Sequence, residues 1–514
     1  MSVFKAAFNI SFFTLISRVT GFIRDIILAY KLGAGPLADI LFIALKIPNF
    51  FRRIFAEGAF SQSFVPSYSK IMLSQNIIAA NKFANHIFYF FIIALLFLTV
   101  LFEVFMPYIL IIFAPGYINI TAQYQQAVAL CQITFPYIIF ISIVSLLNGV
   151  LNSHKIFIPG SVMPIIYNFT LIISLLALFD LTQNHAYSIA YGLIMTGIFQ
   201  LLIMLFIAKK NNLKLYPSYN AKLKQESKRF LFILLPAILA ASIIQLNSMV
   251  DTIIATLIPN AVSYLYYCDR LIQLPLSLLG FALSTAMLPT LSQEIKLKNY
   301  DKAQNLMNQA INISLFFALP ATIGLFMLSQ EIIYTLFLRG EFSIITANAT
   351  ANLIKIYSLA IPAFILVKIL MTDFYSRSNM KTPIKVSFLI LVMNLMLNLI
   401  LINYYSYLGI AIATVISSWC NVFILLILII KKKYNNFIKF NFNIFSKILC
   451  SSIALIITIF LLKNYIISFD DANFTAQLFF LIVTILVSVL CYFSFAVLTK
   501  IITIADIIKF KQRS

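Results

Sequence analysis

The sequence predicts an all-α polytopic membrane protein with about fourteen transmembrane helices, and three observations predict it. Of its 514 residues, 62% are hydrophobic and 10% charged, with a mean hydropathy of +0.98; soluble domains do not have this composition. Apolar runs long enough to cross a bilayer recur along the whole chain. Basic residues concentrate on alternate connections, as they do in the cytoplasmic loops of multi-spanning proteins. The formal net charge of +21 therefore reports topology and not a nucleic-acid partner.

Taken in order, the runs are 7–31, 36–66, 84–114, 127–151, 159–179, 187–208, 229–256, 261–290, 303–329, 349–374, 384–403, 408–430, 447–465 and 475–499. With a cytoplasmic N-terminus, the even-numbered connections and the two tails carry 26 bases. The odd-numbered connections carry three, Lys31, Arg339 and Lys463. Both termini are therefore expected in the cytoplasm. The longest and most basic connection, 209–228, divides an N-terminal lobe of six helices (1–208) from a C-terminal lobe of six (229–430). Residues 431–514 add two helices and a basic tail. No cleavable signal peptide is expected, because the first apolar stretch runs straight into a charged helix.

An internal repeat supports the division. Arg24-Asp25-Ile26-Ile27-Leu28-Ala29 aligns with Val250-Asp251-Thr252-Ile253-Ile254-Ala255 at an offset of 226. Val65-Pro66-Ser67-Tyr68-Ser69 aligns with Leu288-Pro289-Thr290-Leu291-Ser292 at 223. Phe113 and Gly116 match Phe337 and Gly340, and Pro136 and Pro159 match Pro362 and Pro383. An even number of helices per copy gives both lobes one topology, a parallel pseudo-two-fold repeat of the kind transporters rock about a central site.

The first two spans hold the most informative charges. Ionisable groups at membrane depth cost roughly 2.5–3.5 kcal/mol each on insertion scales, yet residues 14–69 carry Arg18, Arg24, Asp25, Asp39, Lys46, Arg52, Arg53 and Glu57. Helical geometry puts Arg18, Gly21 and Asp25 on one face with Arg24 beside it. Asp39, Lys46, Arg53 and Glu57 form a stripe on the second helix with Arg52 on its flank, and Arg53 and Glu57 stand at i,i+4. Pro48 predicts a kink there. With bases outnumbering acids, the stretch reads as a polar cavity for an anion, phosphate suiting the arginine fork. The alternative is a self-neutralised network that locks two helices.

The second half has a different polar set. Arg270 follows Asp269, with Gln273 and Ser277 continuing the face. Asn247 and Asp251, and Asn394 and Asn398, are i,i+4 pairs, and Thr414, Ser418 and Asn421 share a face. These oxygens suit a hard cation such as sodium, or serve as interhelical hydrogen-bond glue. Glu103 and Lys368 have no assigned role. Cys131, Cys268, Cys420, Cys450 and Cys491 lie in apolar stretches without a C-x-x-C and read as buried free thiols. His86, His154 and His185 fall at or near expected loops, which disfavours a histidine centre. No nucleotide-binding, metalloprotease or hydrolase motif is present. Transport therefore draws on a gradient, the membrane potential or substrate supply.

The stretch SRVTGFIRDIILAYKLGAGPLADILFIALKIPNFFRRIFAEGAFSQSFVPSY resembles the signature of the MurJ (MviN) lipid II flippases, within the multidrug/oligosaccharidyl-lipid/polysaccharide exporter superfamily. The resemblance covers essentially the full length, and the two added C-terminal helices fit that family. It implies a transporter, not an enzyme, that carries undecaprenyl-pyrophosphate-linked peptidoglycan precursor to the outer leaflet of the bacterial cytoplasmic membrane by alternating access, for cell-wall synthesis. It implies substrate binding by Arg18, Arg24, Asp25, Asp39, Arg52 and Arg270. It also implies a sodium site at Asp251, Asn394, Asn398 and Thr414, with Asn398 standing where relatives carry an aspartate. The last two helices would form a groove for the polyprenyl tail. A monomer contacting lipid II, membrane lipids and cell-wall synthesis proteins is expected. Alternatives are a related polyprenyl-linked polysaccharide exporter, a membrane-embedded polyprenyl-phosphate enzyme, which lacks its paired acids here, or a non-transporting scaffold.

Overall fold

The computed structural model describes residues 3–54, 59–213, 215–220, 223–277, 281–431, 442–465 and 474–501. Among the described residues every regular element is helical. The first are α1 (Val3–Leu32), α2 (Pro36–Arg52), α3 (Ala59–Ser74), α4 (Ile77–Phe113), α5 (Thr121–Thr134), α6 (Tyr137–Ser153) and α7 (Ile158–Ala177). They continue as α8 (Phe179–Thr182), α9 (His185–Lys210), α10 (Lys224–Ala255), α11 (Ala261–Pro275), α12 (Phe281–Lys296) and α13 (Tyr300–Met327). The remainder are α14 (Ser329–Phe337), α15 (Ile344–Ser358), α16 (Ile361–Ser376), α17 (Lys381–Tyr405), α18 (Tyr407–Lys431), α19 (Phe442–Tyr465) and α20 (Phe474–Leu498).

Among the described residues nine helical stretches are long and apolar enough to cross a membrane: α4, α5–α6, α7, α9, α13, α17, α18, α19 and α20. The pair α15–α16, bent by 41°, makes a tenth. Helices α1, α2–α3, α10 and α11–α12 stand where the other expected spans lie; they carry charge or are interrupted. Local chemistry sets several ends. Pro36 opens α2 at a position where its missing N–H costs nothing. Asn76 caps α4 by accepting from Ala79 N at 2.7 Å. Helix α4 therefore begins seven residues before the expected run, which places His86 inside a helix, 1% exposed, and not at a loop. The short helices α8 and α14 fall in stretches expected to be connections or span ends.

The described chain forms two compact units, 1–263 with 339–342, and 264–338 with 343–514. In the first, α1 packs on α7, α7 on α9, α2 on α5, and α3 on α10. Helix α10 belongs to this unit although it follows the 209–228 linker, so compactness and the expected repeat boundary do not coincide. Aromatic packing is one reason. Phe230 of α10 is 3% exposed and meets Phe60, Phe64 and Phe83 edge-on at 5.8, 6.4 and 6.2 Å, contacts worth about 0.5–1.5 kcal/mol each beyond their buried area. The linker itself is docked: Tyr216 N donates to Asn85 Oδ1 (3.1 Å), Ser218 N to the Asn85 carbonyl (3.1 Å) and Asn220 N to His86 Nδ1 (2.9 Å).

In the second unit α17 packs on α18, and α16 on α12, α13 and α18. Helices α19 and α20 pair and join α13 and α14. Tyr492 donates to the Phe316 carbonyl (2.6 Å), and Lys463 meets Glu331 at 2.6 Å. Asp373, 0% exposed, pairs with Arg377 at 3.2 Å. Of the thiols, Cys131 and Cys268 are buried as expected, whereas Cys450 is exposed and Cys420 and Cys491 are half-buried. Their helices turn more surface outward than an apolar run reveals, because lipid and protein core select the same residues.

The repeat is visible in paired contacts within the first unit. A Cβ on Gly116 would run into the backbone carbonyl of Thr256, and a Cβ on Gly340 into that of Tyr30. The two glycines match in the repeat, and at the offset of 226 so do Tyr30 and Thr256. Each copy's loop glycine therefore rests on the end of the other copy's first helix. Asp39 and Ser263, within a residue of equivalence, bond one another. Helices α2 and α11 both run into a π-type turn, at 53–54 and 276–277, a distortion often found at functional sites.

Candidate functional site: the arginines of the first unit

Arg24 is the best-defined member. It is 9% exposed. Its Nε and Nη2 donate to Asp25 Oδ1 at 3.0 and 2.7 Å, and Nη1 donates to Asn168 Oδ1 at 2.9 Å. The Tyr167 ring lies 5.4 Å from the guanidinium carbon. Asp25 is 2% exposed, so a carboxylate buried there is balanced by its neighbour in sequence. Asn168 reaches in from α7 and ties back to α1 through Ser17 O (2.9 Å) and Thr20 Oγ1 (3.1 Å). Arg18 is half-buried on the same helix, two turns from Asp25.

On α2 the charged side chains have several neutral partners. Asp39, 1% exposed, accepts from Ser263 N at 2.8 Å and from the Ser263 hydroxyl. Lys46 donates to the Ser248 carbonyl (3.0 Å) and to Thr252 Oγ1 on α10. Arg52 Nε donates to Asn49 Oδ1 (3.0 Å), and Arg53 Nη1 to Gln245 Oε1 (3.4 Å). Glu57, expected against Arg53, lies outside the described residues, as do Lys432, Lys433, Lys439, Lys509, Lys511 and Arg513 of the basic segments. In the second unit Arg270 sits over the Tyr266 ring at 4.4 Å, a cation–π contact that orients the plane of the fork. Glu103 is half-buried on α4, with Gln132 Nε2 donating to its backbone carbonyl at 2.9 Å.

The expected sodium ligands divide between the units: Asp251 belongs to the first, and Asn394, Asn398 and Thr414 to the second. Asn394 and Asn398 are both 0% exposed. Asn394 Nδ2 donates to Thr414 Oγ1 and Ser417 Oγ, each at 3.3 Å, and Asn398 Nδ2 to Asn394 Oδ1 at 3.0 Å. Among the described residues no cluster of three or more His, Cys, Asp and Glu has metal-binding geometry.

Tyr167, Asn168, Asn49, Ser263 and Tyr266 were not anticipated from sequence. A usable signal existed for one of them. At the offset of 226 that pairs Asp25 with Asp251, Asn168 pairs with Asn394 and Ser161 with Ser387. The amide at this place in the helix is thus a feature of both copies, and in the first it holds a cation.

The family profile described as lipid II flippase MurJ matches residues 28–485. A probable lipid II flippase MurJ of Rickettsia prowazekii (strain Madrid E) is 35% identical over 504 residues, 98% of this chain and 99% of that protein. One from Buchnera aphidicola subsp. Baizongia pistaciae (strain Bp) is 34% identical over 91% of each chain. A solved lipid II flippase MurJ in an inward closed conformation superposes with a TM-score of 0.80 at 26% identity, over 95% of this chain and 98% of that one. An inward-facing multidrug resistance MATE family transporter of the MOP superfamily gives 0.62 at 13% identity, over 83% and 96%, a likeness of fold alone.

Proposed function

The chain belongs to the lipid II flippase MurJ family, and from that premise we propose that Arg18, Arg24, Arg52 and Arg270, with Asp25 and Asp39 as supporting acids, bind the pyrophosphate of lipid II during its passage. The protein is a multi-pass membrane transporter and not an enzyme; its substrate is lipid II, the lipid-linked precursor of peptidoglycan. A diphosphate cannot cross hydrocarbon unaided, and bidentate guanidinium bonds suit it better than point charges do.

The observation that carries this reading is the excess of bases over acids in residues 14–69, with Arg24 buried and ordered among them. Asp25 takes Arg24, Asp39 accepts from Ser263, and the contacts of Lys46, Arg52 and Arg53 include neutral oxygens. An excess of bases over acids at that depth favours an anion-binding stretch. Translocation then proceeds by alternating access, with the polyprenyl tail kept in lipid along α19 and α20. The loop charges favour cytoplasmic termini in the bacterial cytoplasmic membrane, and the same proposal takes the protein as a monomer that meets cell-wall synthesis proteins. In liposomes carrying labelled lipid II, the purified protein is expected to deliver label to the opposite leaflet. Arg270→Ala is expected to insert normally and lose that delivery; wild-type delivery by this variant would remove Arg270 from the mechanism.

A sodium ion is proposed at Asp251, Asn394, Asn398 and Thr414. The support comes from the repeat: Asp25 and Asn168, the counterparts of Asp251 and Asn394, hold the Arg24 guanidinium, and Val250 stands where that arginine would be. A bound sodium would take, in the second copy, the place that the guanidinium takes in the first. The Asn398 NH2 group donates to Asn394 Oδ1, so its carbonyl oxygen is the atom that would coordinate a cation. With no second carboxylate the site is expected to be weak, so Asn398→Asp should raise sodium affinity by about ten-fold or more, measured by sodium-dependent thermal stabilisation in a potassium background. No sodium-dependent stabilisation of either form would argue for hydrogen-bond glue.

A further inference from the structure

We propose that Asn168 and Tyr167 of α7 are positioning residues that preset the Arg24 guanidinium; this rests on the reading of Arg24 as a pyrophosphate ligand. The orientation of the Asn168 amide is settled by its surroundings. A backbone carbonyl can only accept, so the end facing Ser17 O at 2.9 Å is the NH2 group. Thr20 Oγ1 accepts from the same nitrogen at 3.1 Å. The carbonyl end is thereby forced toward Arg24 Nη1 at 2.9 Å. Gly21 leaves room for this: a Cβ there would lie 3.2 Å from Asn168 Nδ2 and press on the amide. With Asn168 5% exposed, water does not compete for the contact.

The chemistry of the two holders differs from that of Asp25. Asp25 is adjacent in sequence and offsets the charge of Arg24. Asn168, from a helix 144 residues away, fixes the fork without adding negative charge. Tyr167 supplies a ring under the guanidinium at 5.4 Å, which restrains the plane and leaves the in-plane N–H directions unobstructed by that ring. A long side chain ordered in advance loses less freedom when phosphate arrives, so the expected consequence is on affinity. The counterpart Asn394 has a valine where Arg24 would stand and bonds Thr414 and Ser417 instead. The amide is common to both copies, and its use on an arginine is particular to the first.

The test is a double-mutant cycle in proteoliposomes, reading initial translocation rate against lipid II concentration for wild type, Arg24→Lys, Asn168→Leu and the double variant. Asn168→Leu is expected to raise the apparent KM roughly ten-fold with kcat within about two-fold, and to add less than about two-fold once Arg24 is lysine. Equal effects in both backgrounds would mean Asn168 merely packs α1 on α7, and the proposal fails. A wild-type KM for Arg24→Lys would instead overturn the pyrophosphate reading, and the positioning role with it. Should Asn168→Leu not fold, Tyr167→Phe and Tyr167→Leu decide the matter. Phe keeps the ring and the wild-type KM, while Leu raises KM; no difference between the two refutes presetting by the ring.

Discussion

Replacing Arg24 by alanine is expected to abolish lipid II translocation, by about 100-fold or more, since each charge-assisted hydrogen bond lost is worth roughly 1.5–3 kcal/mol. The structure adds a complication that decides how the experiment must be done. Asp25 is 2% exposed and takes two bonds from Arg24. Removing one partner of such a pair leaves a buried charge uncompensated, at about 3–5 kcal/mol. Arg24→Ala should therefore also reduce the amount of protein in the membrane. The double variant Arg24→Ala/Asp25→Ala removes both charges and is expected to recover abundance without recovering transport. Abundance by immunoblot and translocation in liposomes separate the two effects. Recovery of transport in the double variant would show that Arg24 exists to neutralise Asp25 and has no hold on the substrate.

Gly340→Val is expected to be the other severe substitution. Gly340 has φ +56 and rests on the backbone of Tyr30. A β-branched residue at positive φ costs roughly 1–3 kcal/mol in backbone strain, and forcing atoms into a filled contact adds about 1–3 kcal/mol more. The Glu341 N to Tyr30 O bond of 3.0 Å is lost if the loop moves away. The matched glycine gives a control within the same molecule. Gly116 is not at positive φ, yet a Cβ there meets the Thr256 carbonyl. Gly116→Ala thus reports the contact alone, and Gly340→Ala the contact together with the strain. Both should slow translocation at normal membrane abundance, Gly340→Ala more so, because the arrangement in which each copy's loop sits on the other's helix end is disfavoured. Wild-type rates for both alanine variants would remove these contacts from the transport cycle.

Reading the chain as a membrane transporter needed no coordinates. Hydrophobic length and loop charge act locally, so the spans expected at 84–114 and 475–499 follow from composition, since lipid demands that a spanning segment satisfy its own backbone. The repeat was legible for the same reason: Asp25 and Asp251, or Gly116 and Gly340, keep their spacing in the chain. Helical periodicity also placed Arg18 and Asp25 on one face. It could not say where each charge goes, because partners are chosen among side chains hundreds of residues apart. Arg24 found Asn168, Asp39 found Ser263, and Lys46 found Ser248 and Thr252. Polar groups out of water must pair with whatever lies within about 3 Å, and only the packing of α1 on α7 and of α10 beside α2 determines what that is.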